Sequence, residues 1–391
     1  MTQALLTVNV GSSSVRFALF ELDTARNPRP VTRGVVEGIS AASGASVHVD
    51  GKPLTASEHA APITNHDGAL NWLLKWLQTN FRDDQLIAAG HRIVHGGDEF
   101  VGPVRIDNTV VEKLSRLIPL APLHQPHNLA GVAILARALP ALPQVACFDT
   151  AFHATQSSVA RMIALPCEIT SRGVKRYGFH GLSYEHIASV LPDILGERAS
   201  GRVVATHLGS GASMCAIRER KSVTSTMGFS TLDGLMMGTR CGSIDPGVLL
   251  YLLQEGIVDV DGLADMLYRR SGLLGVSGIS ADMRTLLAAR EASAAEAVAL
   301  FCHRAIEQLG AMAAVLGGLD ALVFTGGIGE HASAIRKTIC EAVGWLGVAL
   351  DMEKNEANLP CISTPNSRVA VHVIPADEEL MIARHTARVL T

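Results

Sequence analysis

The sequence predicts an α/β protein of two related domains, on three observations. Apolar runs of strand length alternate with helical patterns, a strand–turn–strand signature occurs twice, and no low-complexity linker interrupts the chain. Residues 4–9 (ALLTVN) and 15–20 (VRFALF) are β-favouring runs on either side of Gly11, Ser12, Ser13 and Ser14. The signature recurs where 203–208 (VVATHL) meets Gly209, Ser210, Gly211, Ala212 and Ser213, continues through Met214–Ile217 and reaches a charged turn at 218–221. Two such hairpins in one chain suggest duplication. Between them, 68–79 carries Trp72, Leu73 and Trp76 at helical spacing, 110–117 reads as a second helix, and 144–147 as a strand. The Ala-rich stretch 288–316 has the composition of one or two buried helices and runs into a strand at 321–325. Residues 377–389 read as a closing helix with Glu378 and Glu379 in its first turn, where carboxylates complement the helix dipole.

A length of 391 residues fits two large domains. The net charge of -4 offers no basic footprint, which argues against nucleic acid as a partner. Seven cysteines without a C-x-x-C pair speak against zinc ribbons and a disulfide framework; they read as small buried residues in a reducing compartment. The N-terminal residues lack the basic region of a signal peptide, and no run is expected to approach the roughly 18 apolar residues that span a bilayer. The expectation is a cytoplasmic protein with no membrane partner.

Three glycine-rich turns stand out, at 9–14, 207–213 and 325–330 (TGGIGE). Such turns let backbone N–H groups approach phosphate oxygens without a bulky Cβ in the way. The third follows a strand and precedes an expected helix starting near His331. Gly327, Gly329 and Ala332, with Asp351 about 20 residues on, loosely satisfy a dinucleotide fingerprint, but a dehydrogenase leaves the other two turns without a use. The Walker pattern is absent, so an ordinary P-loop kinase is excluded.

Polar chemistry gathers beside glycine in GHRIVHGG (90–97), RYGFHG (176–181) and MMGTRCG (236–242), and after an apolar run in FDTAFH (148–153). Arg92 and Arg240 are candidates to hold a carboxylate and a phosphoryl group, because the planar guanidinium grips such anions in fixed geometry. The pairs His91/His95 and His124/His127 read as hydrogen-bonding residues beside glycine or proline rather than a zinc cage, since no H-E-x-x-H is present. Asn9, Asp149 and Glu378 are candidate magnesium residues, since that ion takes one or two protein oxygens beside water and phosphate.

With these segments in view, the chain resembles the acetokinase family along nearly its whole length. NVGSSSVRF (9–17), GHRIVHGG (90–97), CFDTAFH (147–153), RYGFHGLSY (176–184), HLGSGAS (207–213), MGFSTLDGLMMGTRCGSIDPG (227–247), SGLLGVSGISADMR (271–284) and FTGGIGE (324–330) carry the match. The resemblance implies two duplicated actin-like (ribonuclease H-like) domains with mixed sheets and an interdomain nucleotide cleft. Domain one is then 1–150 completed by the helix at about 377–391, and domain two, 151–376, carries most of the nucleotide site. It implies Mg2+, or Mn2+ in its place, with ATP and acetate passing to ADP and acetyl phosphate, in a homodimer. Propionate kinase, or a broader short-chain carboxylate kinase, is the alternative. A non-catalytic nucleotide switch is the reading from another class, and it has no use for Arg92, His180 and Arg240 together.

By the same resemblance Asn9 and Glu378 are metal-associated, Arg92 binds the substrate carboxylate, and Asp149 is the catalytic acid/base position. His180 and Arg240 stabilise the transition state. Val94, Leu123, Phe179 and Thr231 line the acyl pocket. Nucleotide contacts fall to Ser12, Ser14 and Arg16, to His207, Leu208, Gly209, Ser210 and Gly211, to Asp282, Met283 and Arg284, and to Gly327, Ile328, Gly329, Glu330 and His331. Four positions depart from the usual pattern: Arg16 for Lys, Tyr184 for His, Ser210 for Asn and Thr231 for Pro. A carboxylate substrate is already ionised at neutral pH, so Asp149 is expected to orient rather than to abstract a proton.

Overall fold

The computed structural model describes residues 3–11, 14–39, 45–54, 63–81 and 85–390. The chain divides into two units, Met1–Phe152 with Asp377–Thr391, and His153–Ala376.

The first unit is built on strands β1 (Gln3–Val10), β2 (Ser14–Leu22), β3 (Pro28–Glu37), β4 (Ser46–Val49), β5 (Lys52–Pro53), β6 (Gln85–Ile93), β7 (Val104–Arg105) and β8 (Gln144–Phe148), in the sheet order β5-β4-β3-β2-β1-β6-β8-β7. β1 is buried along both faces from Ala4 onward, so its apolar residues Ala4, Leu5, Leu6, Val8 and Val10 do not alternate strictly with polar ones. On one face Leu6, Val8, Val10, Phe17 and Leu19 pack under Leu70, Leu73 and Leu77 of the helix His66–Asn80. On the other, Leu5, Ala18, Phe20 and Ala88 meet Ala383 and Ala387 of the helix Glu378–Val389. Gly90 permits that second contact: a Cβ there would sit 2.2 Å from Thr386 Oγ1 and 2.6 Å from Ile382 Cγ2. Asp377 caps the helix by accepting from Leu380 N at 3.0 Å and is itself held by Arg33 at 2.6 Å.

The second unit carries β9 (Val203–Leu208), β10 (Ala212–Arg218), β11 (Lys221–Ser225), β12 (Ala321–Thr325) and β13 (Ala370–Val373), in the order β11-β10-β9-β12-β13. Two antiparallel pairings, β11–β10 and β10–β9, are followed by two parallel ones, β9–β12 and β12–β13. The stretch β3-β2-β1-β6-β8 has the same sense at every step. Each unit therefore repeats one mixed-sheet plan, the duplication that the two hairpins implied.

Three expectations need correction. The turn 325–330 is itself helical, over Gly326–His331, and a separate helix follows at Ser333–Ala342. The Ala-rich stretch forms one helix, Ala292–Leu316, which by length and composition does reach membrane-crossing size. Its buried residues, among them Ala294, Ala297, Phe301, Ala305, Leu309 and Leu316, recur every three or four positions, the pattern of a helix lying on a core. Of the cysteines, Cys167 and Cys361 are exposed and Cys241 half-buried.

Candidate active site

In the first unit, three parallel neighbours end together in chemistry. Asn9 lies at the C-terminal end of β1, Arg92 at that of β6, and Asp149 directly after β8. Open α/β sheets place their ligands beyond these strand ends. Arg92 Nε donates to both Asp149 oxygens at 3.1 Å, and its Nη2 donates to Oδ2 at 2.5 Å. Its Nη1 donates to Asn9 Oδ1 at 3.3 Å. Asn9 Nδ2 reaches Glu378 Oε2 at 3.5 Å, and Arg92 Nε lies 4.0 Å from the same oxygen. Side-chain exposures of 13% for Arg92, 1% for Asp149 and 16% for Glu378 make this a largely desolvated cluster.

Burial works against the Arg92 cation, but Asp149 and then Glu378 outweigh it and hold its pKa above the usual range. Glu378 is pushed the other way. Burial first, and Asp149 next to it, raise its pKa against the pull of Arg92 and Arg16. Glu379 is also raised, by burial and by Glu378. Arg16 is exposed and sits opposite Asn9 in the β1–β2 register. Ser14 opens β2, while Ser12 lies outside the described residues. Val94 is fully buried and Leu123 half-buried.

Two supports of this cluster had escaped the sequence reading. Asn128, buried in the helix Gln125–Ala138, donates to Val10 O at 2.7 Å and accepts from Val94 N at 2.9 Å, tying the ends of β1 and β6 together. One turn earlier, Gln125 donates to His95 O at 3.1 Å and accepts from His95 N at 3.2 Å. Gln and Asn three apart at the start of an otherwise apolar helix is the signal that marked them.

The second unit gathers the remaining residues. His180 has a φ of 57° and precedes the helix Gly181–Leu195. Its ring stacks on His207 with centroids 4.3 Å apart. His180 Nδ1 lies 2.8 Å from Ser213 Oγ, and His207 Nδ1 lies 2.8 Å from Ser183 Oγ. The turn at 209–211 faces both rings: a Cβ on Gly211 would meet Arg240 Nη2 at 2.8 Å and His180 Nε2 at 3.3 Å. Arg240 Nη1 donates to Thr231 O at 2.9 Å. Phe179 and Thr231 are both buried. Leu208 closes β9, and Ser210 O accepts from Gly238 N at 3.1 Å, joining the turn to the loop that bears Arg240.

Asp282 caps the helix Met283–Ala288 and is paired with Arg284 at 2.7 Å, a contact that brings its pKa down to about 2. The helical turn Gly326–His331, which holds Gly327, Ile328, Gly329 and Glu330, is anchored at both ends. Glu330 Oε1 accepts from Gly326 N and Ala376 N, each at 3.0 Å. Arg336, fully buried and also missed by the sequence reading, donates to the carbonyls of Gly329 and Glu330 at 2.9 Å. Its other donors go to Asn355 Oδ1, Asn355 O and Asn358 Oδ1, so all five guanidinium N–H groups meet neutral oxygens. The Thr325 hydroxyl at the head of this turn is buried without a partner among the described residues. Asp351, the acidic residue of the dinucleotide alternative, caps the helix Met352–Glu356 by accepting from Lys354 N at 3.2 Å.

The family model described as the acetokinase family matches residues 4–384. The chain is 52% identical to an acetate kinase of Rhodopseudomonas palustris, covering 99% of this chain and 98% of that protein. It is 46% identical to an acetate kinase of Rhizobium meliloti, over 99% and 98% respectively. Among solved structures, an acetate kinase of Porphyromonas gingivalis superposes with a TM-score of 0.87 at 35% identity, covering 100% of both chains. A propionate kinase of Francisella tularensis gives 0.90 at 36%, over 98% of both.

Proposed function

The chain belongs to the acetokinase family, and from that premise we propose that it transfers the γ-phosphoryl group of ATP to acetate, reversibly, giving acetyl phosphate and ADP. The observation that carries the reading is the state of Arg92. Asp149 occupies the Nε/Nη2 side of the guanidinium and Asn9 takes one N–H of Nη1, which among the described residues leaves one N–H on each terminal nitrogen for a substrate carboxylate. Asp149 is committed to that guanidinium and acetate arrives ionised, so Asp149 acts by orienting Arg92 rather than by removing a proton. In the second unit, His180 and Arg240 flank the turn at 209–211 and serve as the donors for charge on the transferring phosphoryl group. The turns at 209–211 and 326–331 serve the nucleotide, together with Asp282 and Arg284.

Asn9 and Glu378 suit a magnesium or manganese ion. Glu378 is a largely buried carboxylate whose Oε2 lies 3.5 Å from Asn9 Nδ2 and 4.0 Å from Arg92 Nε, and burial raises its pKa, so a cation beside it would offset that burial. A divalent ion held by Asn9 and Glu378 would supply positive charge against the phosphate oxygens. The helix Pro246–Gln254 has no buried residue although Val248, Leu250 and Tyr251 lie on it, at 41%, 57% and 57% exposure, and Ile257 and Val260 extend the same apolar surface. A second copy of the chain covering it is the homodimer we propose. Seven free cysteines suit the reducing cytoplasm.

Hydroxamate-coupled initial rates with ATP, magnesium and a series of acetate, propionate and butyrate test the reading. The highest kcat/KM for acetate is expected, since a methylene in an apolar pocket is worth only about 1–3 kcal/mol but the relatives at 46–52% identity are acetate kinases. A propionate preference moves the assignment to the alternative carboxylate, and no acyl phosphate from any of the three removes it.

A further inference from the structure

Tyr184 and Ser213 are buried and have no part in the reaction as described so far. We propose that they are positioning residues, which fix the neutral ring of His180 as the Nε2–H tautomer and so aim an N–H donor at the turn 209–211. The inference rests on the reading that His180 serves the transferring phosphoryl group.

Ser213 Oγ lies between two partners, Tyr184 Oη at 2.5 Å and His180 Nδ1 at 2.8 Å. A serine hydroxyl has one proton, so the chain of hydrogen bonds runs in one of two senses. Either tyrosine donates to serine and serine to Nδ1, or Nδ1–H donates to serine and serine to tyrosine. The first sense is the one in which the phenol uses its proton within the chain. The His207 backbone acts on the phenol as an N–H donor, lowering its pKa, while burial and then Cys215 raise it far more, so the phenol stays protonated. An oxygen that already receives from His207 has its own proton to give, and Ser213 is 2.5 Å away. Ser213 then donates to His180 Nδ1, and the proton of the neutral ring sits on Nε2.

Placement agrees. Of the His180 ring atoms, Nε2 lies nearest a Cβ on Gly211, at 3.3 Å, so it is the nitrogen that faces the turn. The Tyr184 ring is itself held in place, edge-on to His153 at 5.8 Å, and His153 is pinned by Ser222 Oγ and Phe179 O, each at 2.9 Å. The stack of His180 on His207 at 4.3 Å opposes charge on both rings together. A neutral ring with a fixed tautomer is therefore the form that gives a donor without a second cation beside Arg240.

Long-range 15N–1H NMR of the histidine-labelled full chain at pH 8 tests this, with His180 assigned through His180→Gln. The expected wild-type spectrum has His180 protonated at Nε2 and bare at Nδ1. Tyr184→Phe should move the ring toward Nδ1–H, because Ser213 loses its donor, and should lower kcat roughly tenfold or more while leaving both KM values within about twofold. A wild-type ring protonated at Nδ1, or a Tyr184→Phe ring or kcat that does not change, overturns the proposal. If Tyr184→Phe does not fold, the wild-type tautomer and the kcat of Ser213→Ala decide it in the same two directions. Failure of the underlying reading looks different: His180→Gln with unchanged kcat would remove the role of His180 whatever its tautomer.

Discussion

Glu378→Gln should remove catalysis yet make the protein harder to unfold. Around Arg92 the first unit collects three carboxylates, Asp149, Glu378 and Glu379, against two arginines, Arg16 and Arg92. The Glu378 pKa is raised in the fold, chiefly by burial, so the folded state favours its neutral form. That penalty is absent below the unfolded-state pKa of a glutamate and complete once pH exceeds the folded one. As pH rises the wild-type chain therefore holds the ionised carboxylate at a growing cost. Glutamine keeps the shape and removes the charge. Arg92 keeps its fork with Asp149, so no cation is orphaned. A rise of a few °C in melting temperature is expected, since about 1 kcal/mol moves the midpoint by about 2–4 °C in a unit of this size. Thermal melts in chelator, from pH 5 to 8, should show the gap widening with pH. Magnesium should close it by stabilising wild type alone. A glutamine variant that melts at or below wild type throughout that range refutes the reasoning.

Arg92→Ala should raise the KM for acetate by more than tenfold, whereas Arg240→Ala should depress kcat with a smaller change in either KM; steady-state kinetics on both variants separate the two roles. Gly90→Ala forces a Cβ to within 2.2 Å of Thr386 Oγ1 and should cost about 1–3 kcal/mol in urea unfolding, with activity lost as the helix bearing Glu378 is pushed off the sheet. His91, His95 and His153 are held neutral by burial, each with its pKa lowered to about 4. The unfolded chain binds their protons first, so stability should be lost as pH falls from about 6.5 toward about 4, by on the order of 3 kcal/mol per histidine. Acid titration of His153→Gln should show a shallower decline than wild type, and an identical slope would assign the loss to carboxylates instead.

Much of the fold was legible because its strands are buried on both faces. The runs at 4–9 and 203–208 needed no alternation to be recognised, and the Gly/Ser turns after them marked the hairpins. Arg92, His180 and Arg240 were legible for another reason, each being a charged or polar residue within a glycine-flanked segment, and Asp149 because it follows a buried apolar strand. Asn128 and Arg336 were hidden because their work depends on partners brought near only by folding, such as Val10 for Asn128, 118 positions away. The helical turn Gly326–His331 was misread for a related reason. Each glycine costs about 1 kcal/mol in a helix interior, so TGGIGE reads as a loop. It is helical because Glu330 takes its first N–H and Arg336 its last carbonyls, and Glu330 is itself held by Ala376 N, a contact only folding brings near.

The helix Glu378–Val389 covers one face of a sheet whose first strand is Gln3–Val10. On the ribosome, that sheet waits for the helix Glu378–Val389 before Leu5, Ala18, Phe20 and Ala88 are covered, while the unit His153–Ala376 is continuous in sequence and has all its parts earlier. Birth order and completion order are thus reversed: the half made first is finished last. For most of synthesis an apolar sheet face stands open to chaperones and to neighbouring chains. The residue that closes the site, Glu378, reaches it on the same segment that seals the core, so a chain released before its final helix lacks both a covered sheet and its acidic group.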